Sequence, residues 1–226
     1  MIELTGLKAY NCILFDLEGH GLSPTAPTSR LSIASFAADL QDICSQNDVT
    51  SGVTLVAHSL GCLVALKCAQ DNPGLISKLV LLGPPPNPLA KAMSEELYAR
   101  AALVRSEGVG AIVDAVTSQE TSPATQSGKI LALSAVRLSL LAQSDEGYAK
   151  ACTALAETTV SSDIGQVDVE TLIVTGADDK IGSPQVCGDY KQRFKKTANV
   201  EVLEGVGHWH VFEDPVGVSK AVDNFL

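Results

Sequence analysis

No apolar run in this 226-residue chain approaches the roughly 18 residues that a membrane span needs. The opening residues, Met1-Ile2-Glu3-Leu4-Thr5, lack the basic and apolar segments of a secretory signal, so a cytoplasmic location is expected. Basic residues are few. Sixteen Lys and Arg stand against 26 Asp and Glu, a net charge of −10. Such a surface repels phosphate backbones and anionic lipid, and no basic cluster offsets it. Neither nucleic acid nor a membrane is expected as a partner. The six cysteines form no Cys-x-x-Cys pair and the four histidines are dispersed, which argues against a structural zinc site. Cys12 and Cys62 lie in apolar stretches, and the cysteines are read as reduced core residues, with one or two disulfides as the alternative. There is no internal repeat and no low-complexity tract.

What is present is an ordinary globular composition, 46% hydrophobic and 19% charged, at a length that suits one domain with a sizeable core. Short apolar runs bounded by Gly, Pro or Asp read as buried strands at residues 11–17, 53–57, 78–82, 171–175 and 200–203. Helical spacing lies between them, over residues 33–45 and 60–69. A last helix opens at Asp214-Pro215, with an N-cap candidate followed by proline at the first position. Strands alternating with helices predict an α/β fold built on a mostly parallel, doubly wound sheet covered on both faces. The Gly83-Pro84-Pro85-Pro86-Asn87-Pro88 segment can continue neither a helix nor a central strand. Beyond it, residues 94–106, 110–117, 128–143 and 147–157 read as helices with no strand among them. The expected organisation is a core of residues 1–88 and 161–226, with residues 89–160 inserted as a helical cap.

Chemistry concentrates around Val53-Thr54-Leu55-Val56-Ala57-His58-Ser59-Leu60-Gly61, which reads as a strand, a tight turn and a helix start. Such a turn needs small residues two before and two after the serine, here Ala57 and Gly61. It holds the Ser59 side chain clear of the sheet at the positive end of the next helix. The Leu60 N–H points to where an oxyanion would develop on a carbonyl attacked by Ser59. A serine nucleophile needs a general base, and the base needs a carboxylate to orient it.

Together with three further segments, this one resembles the α/β-hydrolase family over nearly the whole chain. The segment Gly176-Ala177-Asp178-Asp179-Lys180-Ile181-Gly182-Ser183-Pro184 resembles the family's Gly-x-x-Asp loop with a proline five residues later, and that spacing implies Asp179 rather than Asp178 as the acid. The segment Gly205-Val206-Gly207-His208, followed by Glu213-Asp214-Pro215, resembles its histidine loop and implies His208 as the base. His210 is a second candidate, but the two glycines precede His208; a partly buried packing role is expected for His210. Asp16-Leu17-Glu18-Gly19-His20-Gly21-Leu22-Ser23 resembles the family's Asp-x-x-Gly-His-Gly-x-Ser loop, where Asp16 and His20 are expected to hold the turn. His58, beside the serine, is not expected to act as a base.

The resemblance implies a serine esterase or lactonase acting on a small ester or lactone through an acyl-enzyme. Ser59, Asp179 and His208 would be catalytic, and no metal or organic cofactor is needed. Parts of the insertion, Ala102 to Ile112 and Gly147 to Cys152, look like the 3-oxoadipate enol-lactonase-like branch. Hydrolysis of a carbon–carbon bond by the same three residues is an alternative, as is a non-catalytic, ligand-binding pseudo-hydrolase. Epoxide hydrolases and haloalkane dehalogenases of this fold use Asp as nucleophile, so Ser59 argues against both. One departure stands at the front. The family places a third strand, with a loop that supplies a second oxyanion N–H, before the Asp-x-x-Gly-His-Gly segment. Nothing in residues 1–10 resembles them, and weakened turnover is the expectation.

Overall fold

The computed structural model describes residues 10–158 and 163–226. Four strands, β1 (Val53–His58), β2 (Ile76–Leu82), β3 (Glu170–Gly176) and β4 (Ala198–Leu203), form one parallel sheet in the order β1-β2-β3-β4. Parallel neighbours need crossovers. Helix α2 (Leu60–Asp71) follows β1. A helical insertion follows β2, comprising α3 (Lys91–Glu107), α4 (Val113–Glu120), α5 (Pro123–Gly128), α6 (Ile130–Leu141) and α7 (Asp145–Ala156). Helix α8 (Pro184–Arg193) follows β3. Helix α1 (Ile33–Gln46) precedes the sheet, and α9 (His210–Glu213) and α10 (Pro215–Phe225) follow it.

The continuous apolar runs of β2 and β3 are explained by the two faces they serve. Leu79, Leu81 and Ile173 join a core with Phe36 and Leu40 of α1, Leu63 and Leu66 of α2, and Tyr190 of α8. The residues between them, Val80, Leu82, Leu172 and Val174, pack on Val218, Ala221 and Val222 of α10. The side-chain period of two along a strand makes this division. The insertion has its own apolar centre, where Val104, Val113, Val116, Val136 and Ala149 meet. Asp214 caps α10 through a bond from the Gly217 N–H at 2.9 Å, with Pro215 at the first helical position, as expected.

Several expectations are corrected. Among the described residues, 11–17 form no strand, and Ile13, Leu14 and Phe15 are exposed. An apolar run becomes a strand only when another strand accepts its hydrogen bonds, and β1 pairs with β2 alone among the described residues. Nor is β1 covered on both faces, since Val56 is 54% exposed. The helix expected over residues 128–143 is α6, shorter by two residues at each end, because Gly128 closes the separate short helix α5. Helix α8 was not foreseen. The content of residues 1–9 and the boundary between residues 160 and 161 lie outside the described residues.

Candidate active site

Strand β1 ends at His58 and α2 begins at Leu60, so Ser59 alone makes the turn between them, at φ 52° and ψ −121°. Residues with a side chain rarely adopt such a backbone, and holding it costs on the order of 1–3 kcal/mol. The surroundings impose it: the Ser59 N–H donates to the Leu82 carbonyl at 3.0 Å, and the Ser59 carbonyl accepts from Cys62 N–H at 2.9 Å. A methyl group on Gly61 would meet the Ala57 Cβ at 3.7 Å, an ordinary contact, so the elbow has room for Ala57. Leu60 is the first helical residue, and its N–H has no acceptor within α2.

His208 follows β4 on a tight loop, and Asp179 follows β3. The Ser59 Oγ lies 2.9 Å from His208 Nε2. On the other side of the ring, Nδ1 faces Asp179 Oδ2 at 3.0 Å and Oδ1 at 3.2 Å. A carboxylate only accepts, so Nδ1 carries the proton and the bare Nε2 accepts the serine hydroxyl. The Asp179 Oδ1 also accepts the N–H groups of Ile181 and Gly182, at 2.8 and 2.9 Å. Burial opposes the Asp179 charge, but the hydrogen bond from His208 and the nearby His210 ring outweigh it and hold the carboxyl well below the usual range. Asp178 is exposed, whereas Asp179 is buried. A hydroxyl, a bare imidazole nitrogen and a buried carboxylate in line can pass a proton from oxygen to nitrogen and hold the imidazolium that results.

The other histidines have definite places. His58 donates from Nε2 to the His208 carbonyl at 2.7 Å, and burial, then the neighbouring His208 and His210, push its pKa down to about 3. His210 is not partly buried, as expected from sequence, but wholly so, with Nε2 3.2 Å from Asp179 Oδ2. Nε2 makes no hydrogen bond there, so the two are in electrostatic contact. His20 donates to or accepts nothing at the serine; its Nδ1 lies 3.2 Å from the Glu18 carbonyl. Asp16 holds the same loop by accepting the Leu22 N–H at 2.9 Å.

A cavity of about 400 Å³ opens over Ser59 and His208. The insertion supplies more than half of its wall, through apolar residues such as Leu97, Leu140 and Leu155. One ion pair interrupts the apolar wall, Arg100 Nη1 to Glu120 Oε1 at 3.2 Å. Burial works against the Arg100 charge, but Glu120 beside it raises the guanidinium pKa further. Among the described residues, no group of three His, Cys, Asp or Glu side chains is placed to hold a metal ion, and no helix is long and apolar enough to cross a membrane.

A family model described as alpha/beta hydrolase fold matches residues 2–215. The chain belongs to the α/β-hydrolase family. Among curated relatives, this α/β-hydrolase is 26% identical over 215 residues to the 3-oxoadipate enol-lactonase 2 of Acinetobacter baylyi, covering 95% of this chain and 78% of that protein. Among solved structures, it superposes on a thermophilic esterase from Thermogutta terrifontis with a TM-score of 0.86 at 24% identity, covering 93% of this chain and 77% of the esterase. It superposes on the enol-lactonase of Burkholderia xenovorans with a TM-score of 0.82 at 21% identity, covering 93% and 78%. At these identities the superpositions show the shared fold.

Sequence reasoning missed three parts of the α/β-hydrolase site. The bond from His58 to the His208 carbonyl spans 150 residues. The Arg100–Glu120 pair joins two helices of the insertion. Glu213, known only as part of the Glu-x-Pro run, is 2% exposed and accepts three backbone N–H groups. A glutamate in an otherwise apolar, aromatic run was the one available signal.

Proposed function

We propose that the chain is a serine hydrolase of small carboxylic esters or lactones. Ser59 Oγ attacks the carbonyl carbon while His208 Nε2 takes its proton. Asp179 holds the imidazolium, and the Leu60 N–H donates to the oxyanion. The tetrahedral intermediate collapses, the leaving oxygen takes the proton from His208, and an acyl-Ser59 ester remains. Water then loses a proton to His208 as it attacks the acyl carbon, and His208 returns that proton to Ser59 Oγ as the acid leaves. The observation that carries this reading is the 2.9 Å contact between Ser59 Oγ and the bare Nε2 of His208. Residues 89–160 act as a cap over the site on a core of residues 1–88 and 161–226, which accounts for the mostly apolar wall above Ser59. The Acinetobacter baylyi relative is an enol-lactonase by name, and a small lactone is accordingly the first substrate to try.

The decisive experiment compares wild type with Ser59→Ala, using p-nitrophenyl acetate and a fluorophosphonate probe. The wild type is expected to turn over the ester and to take the label, and the variant to do neither. Label retained by Ser59→Ala would refute the assignment. The expected weakness of turnover concerns residues outside those described, and the same assay measures it.

A further inference from the structure

The loop that carries His208 does not stand on the core alone. It is tied to the segment between α4 and α5 by a set of buried hydrogen bonds centred on Glu213. One carboxylate oxygen of Glu213, Oε2, accepts the Ser122 N–H from that segment at 2.8 Å and the Gly207 N–H from the histidine loop at 3.0 Å. The other, Oε1, accepts the Trp209 N–H at 3.1 Å. The two N–H groups from the loop belong to the residues on either side of His208. His208 itself donates its N–H to the Glu120 carbonyl at 2.7 Å. Ser122 Oγ adds a bond to the Gly205 carbonyl at 2.7 Å, and Lys129 Nζ reaches the Glu213 carbonyl at 2.7 Å. Glu213 and Ser122 are both buried.

The approach is close enough to require glycine. A Cβ on Gly207 would stand 2.7 Å from the Glu120 carbonyl oxygen and 2.7 Å from the Ser122 nitrogen. Burying a carboxylate is costly unless donors surround it. A structure that needed only to close this loop could do so with apolar packing. Three N–H groups aimed at one side chain fix the loop's backbone in direction as well as in distance.

We propose that Glu213 is a positioning residue for His208, latching the histidine loop to the inserted helices. This rests on the reading of His208 as the general base. Beyond its own loop, His208 is met by Asp179 at Nδ1, Ser59 at Nε2 and His58 at the backbone carbonyl. None of these holds the peptide nitrogens of the loop: Glu213 takes those of Gly207 and Trp209, and the Glu120 carbonyl takes that of His208. The same Glu120 whose carbonyl receives the His208 N–H pairs through its side chain with Arg100 in the cavity wall. The insertion therefore sets the place of the base as well as covering the substrate. A displacement of about 1 Å at a reacting group can cost about 10²-fold in rate.

The test uses the full chain as wild type, Glu213→Gln, Glu213→Asp and Gly207→Ala. The Gln amide turns a donor toward backbone donors, Asp keeps the acceptors one methylene short, and the Ala methyl wedges the loop away from residues 120–122. Each is measured for melting temperature, for kcat and KM on p-nitrophenyl butyrate, and for the low-field proton resonance of His208 Nδ1–H. Expected for Glu213→Gln is a kcat loss of about 10- to 100-fold with KM within about threefold, together with a shifted or broadened low-field resonance. Glu213→Asp should recover part of both. A folded Glu213→Gln with wild-type kcat and an unmoved resonance overturns the proposal, as does a loss carried by KM alone. If Glu213→Gln does not fold, Gly207→Ala decides: reduced kcat at unchanged KM supports the latch, and wild-type kcat overturns it. A wild type without Ser59-dependent turnover would sink the hydrolase reading instead, and the resonance would then decide the latch by itself.

Discussion

The His58 imidazole donates from Nε2 to the carbonyl oxygen of His208 at 2.7 Å, so the residue beside the serine holds the backbone of the residue that faces it. The two rings lie 4.8 Å apart, and a charge on both at once would be strongly opposed. Burial and the neighbouring histidines lower the His58 pKa from 6.5 to about 3, which keeps it neutral around pH 7.

That shift makes folding sensitive to acid. The folded-state pKa lies below the unfolded value, so the unfolded chain binds the proton first as the pH falls. Stability is full above about pH 6.5 and is lost on the way down toward about pH 3. The slope is about 1.4 kcal/mol per pH unit for one such group. The glutamine amide extends about as far as Nε2 and can donate to the same carbonyl without titrating. Urea unfolding between pH 4 and 6 is expected to show the slope in wild type and a much smaller one in His58→Gln. Equal slopes would mean that His58 takes up its proton in the folded protein.

Asp179 and Asp178 are adjacent in sequence, yet only Asp179 touches His208. Asp179→Asn is expected to reduce kcat by about 10⁴, the scale set by a serine protease acid. Exposed Asp178→Asn should leave kcat within about twofold, as surface changes do. Steady-state kinetics on one ester ranks the two, and the reverse order would reassign the acid.

Gly83, just after β2, has φ +54°, and a Cβ there would stand 2.5 Å from His210 Cε1 and 2.8 Å from Asp179 Oδ2. Gly83→Ala is expected to lower stability by more than about 1 kcal/mol and kcat by about 10²-fold, since it strains the turn and pushes on Asp179. A variant with unchanged melting temperature and turnover would show that the cluster yields at little cost.

Five of the six cysteines, Cys44, Cys62, Cys68, Cys152 and Cys187, are buried, and Cys12 is exposed. Burial raises the thiol pKa of Cys152 to about 11 and of Cys187 to about 12. The thiolate is the reacting species. Iodoacetamide at pH 8 should therefore modify the native protein at Cys12 alone and reach all six after unfolding. Mass spectrometry of the intact chain counts the adducts, and fast modification of Cys152 would show an open cavity wall.

What the sequence determined was what a few neighbouring residues can specify. The turn at Ser59 is written in Ala57, Gly61 and the flanking apolar strand and helix. The start of α10 is written in Asp214-Pro215, and the glycines before His208 mark a loop that can come close to other backbone. The turn signal located Ser59, and the resemblance of two further loops to the α/β-hydrolase family supplied Asp179 and His208; the three meet at 2.9 to 3.2 Å in the structure. Tertiary structure decided what depends on a distant partner. Residues 11–17 have the composition of a strand but no ladder among the described residues, because pairing belongs to two segments together. His210 is buried against Asp179, and His58 meets the His208 carbonyl, because the loops after β1, β3 and β4 converge at one end of the sheet. Glu213 acquires its role only when Ser122, 91 positions away, turns its N–H toward it. Local backbone preference is encoded within a turn or two of chain, whereas the identity of a buried acceptor's donors is set by packing across the whole domain.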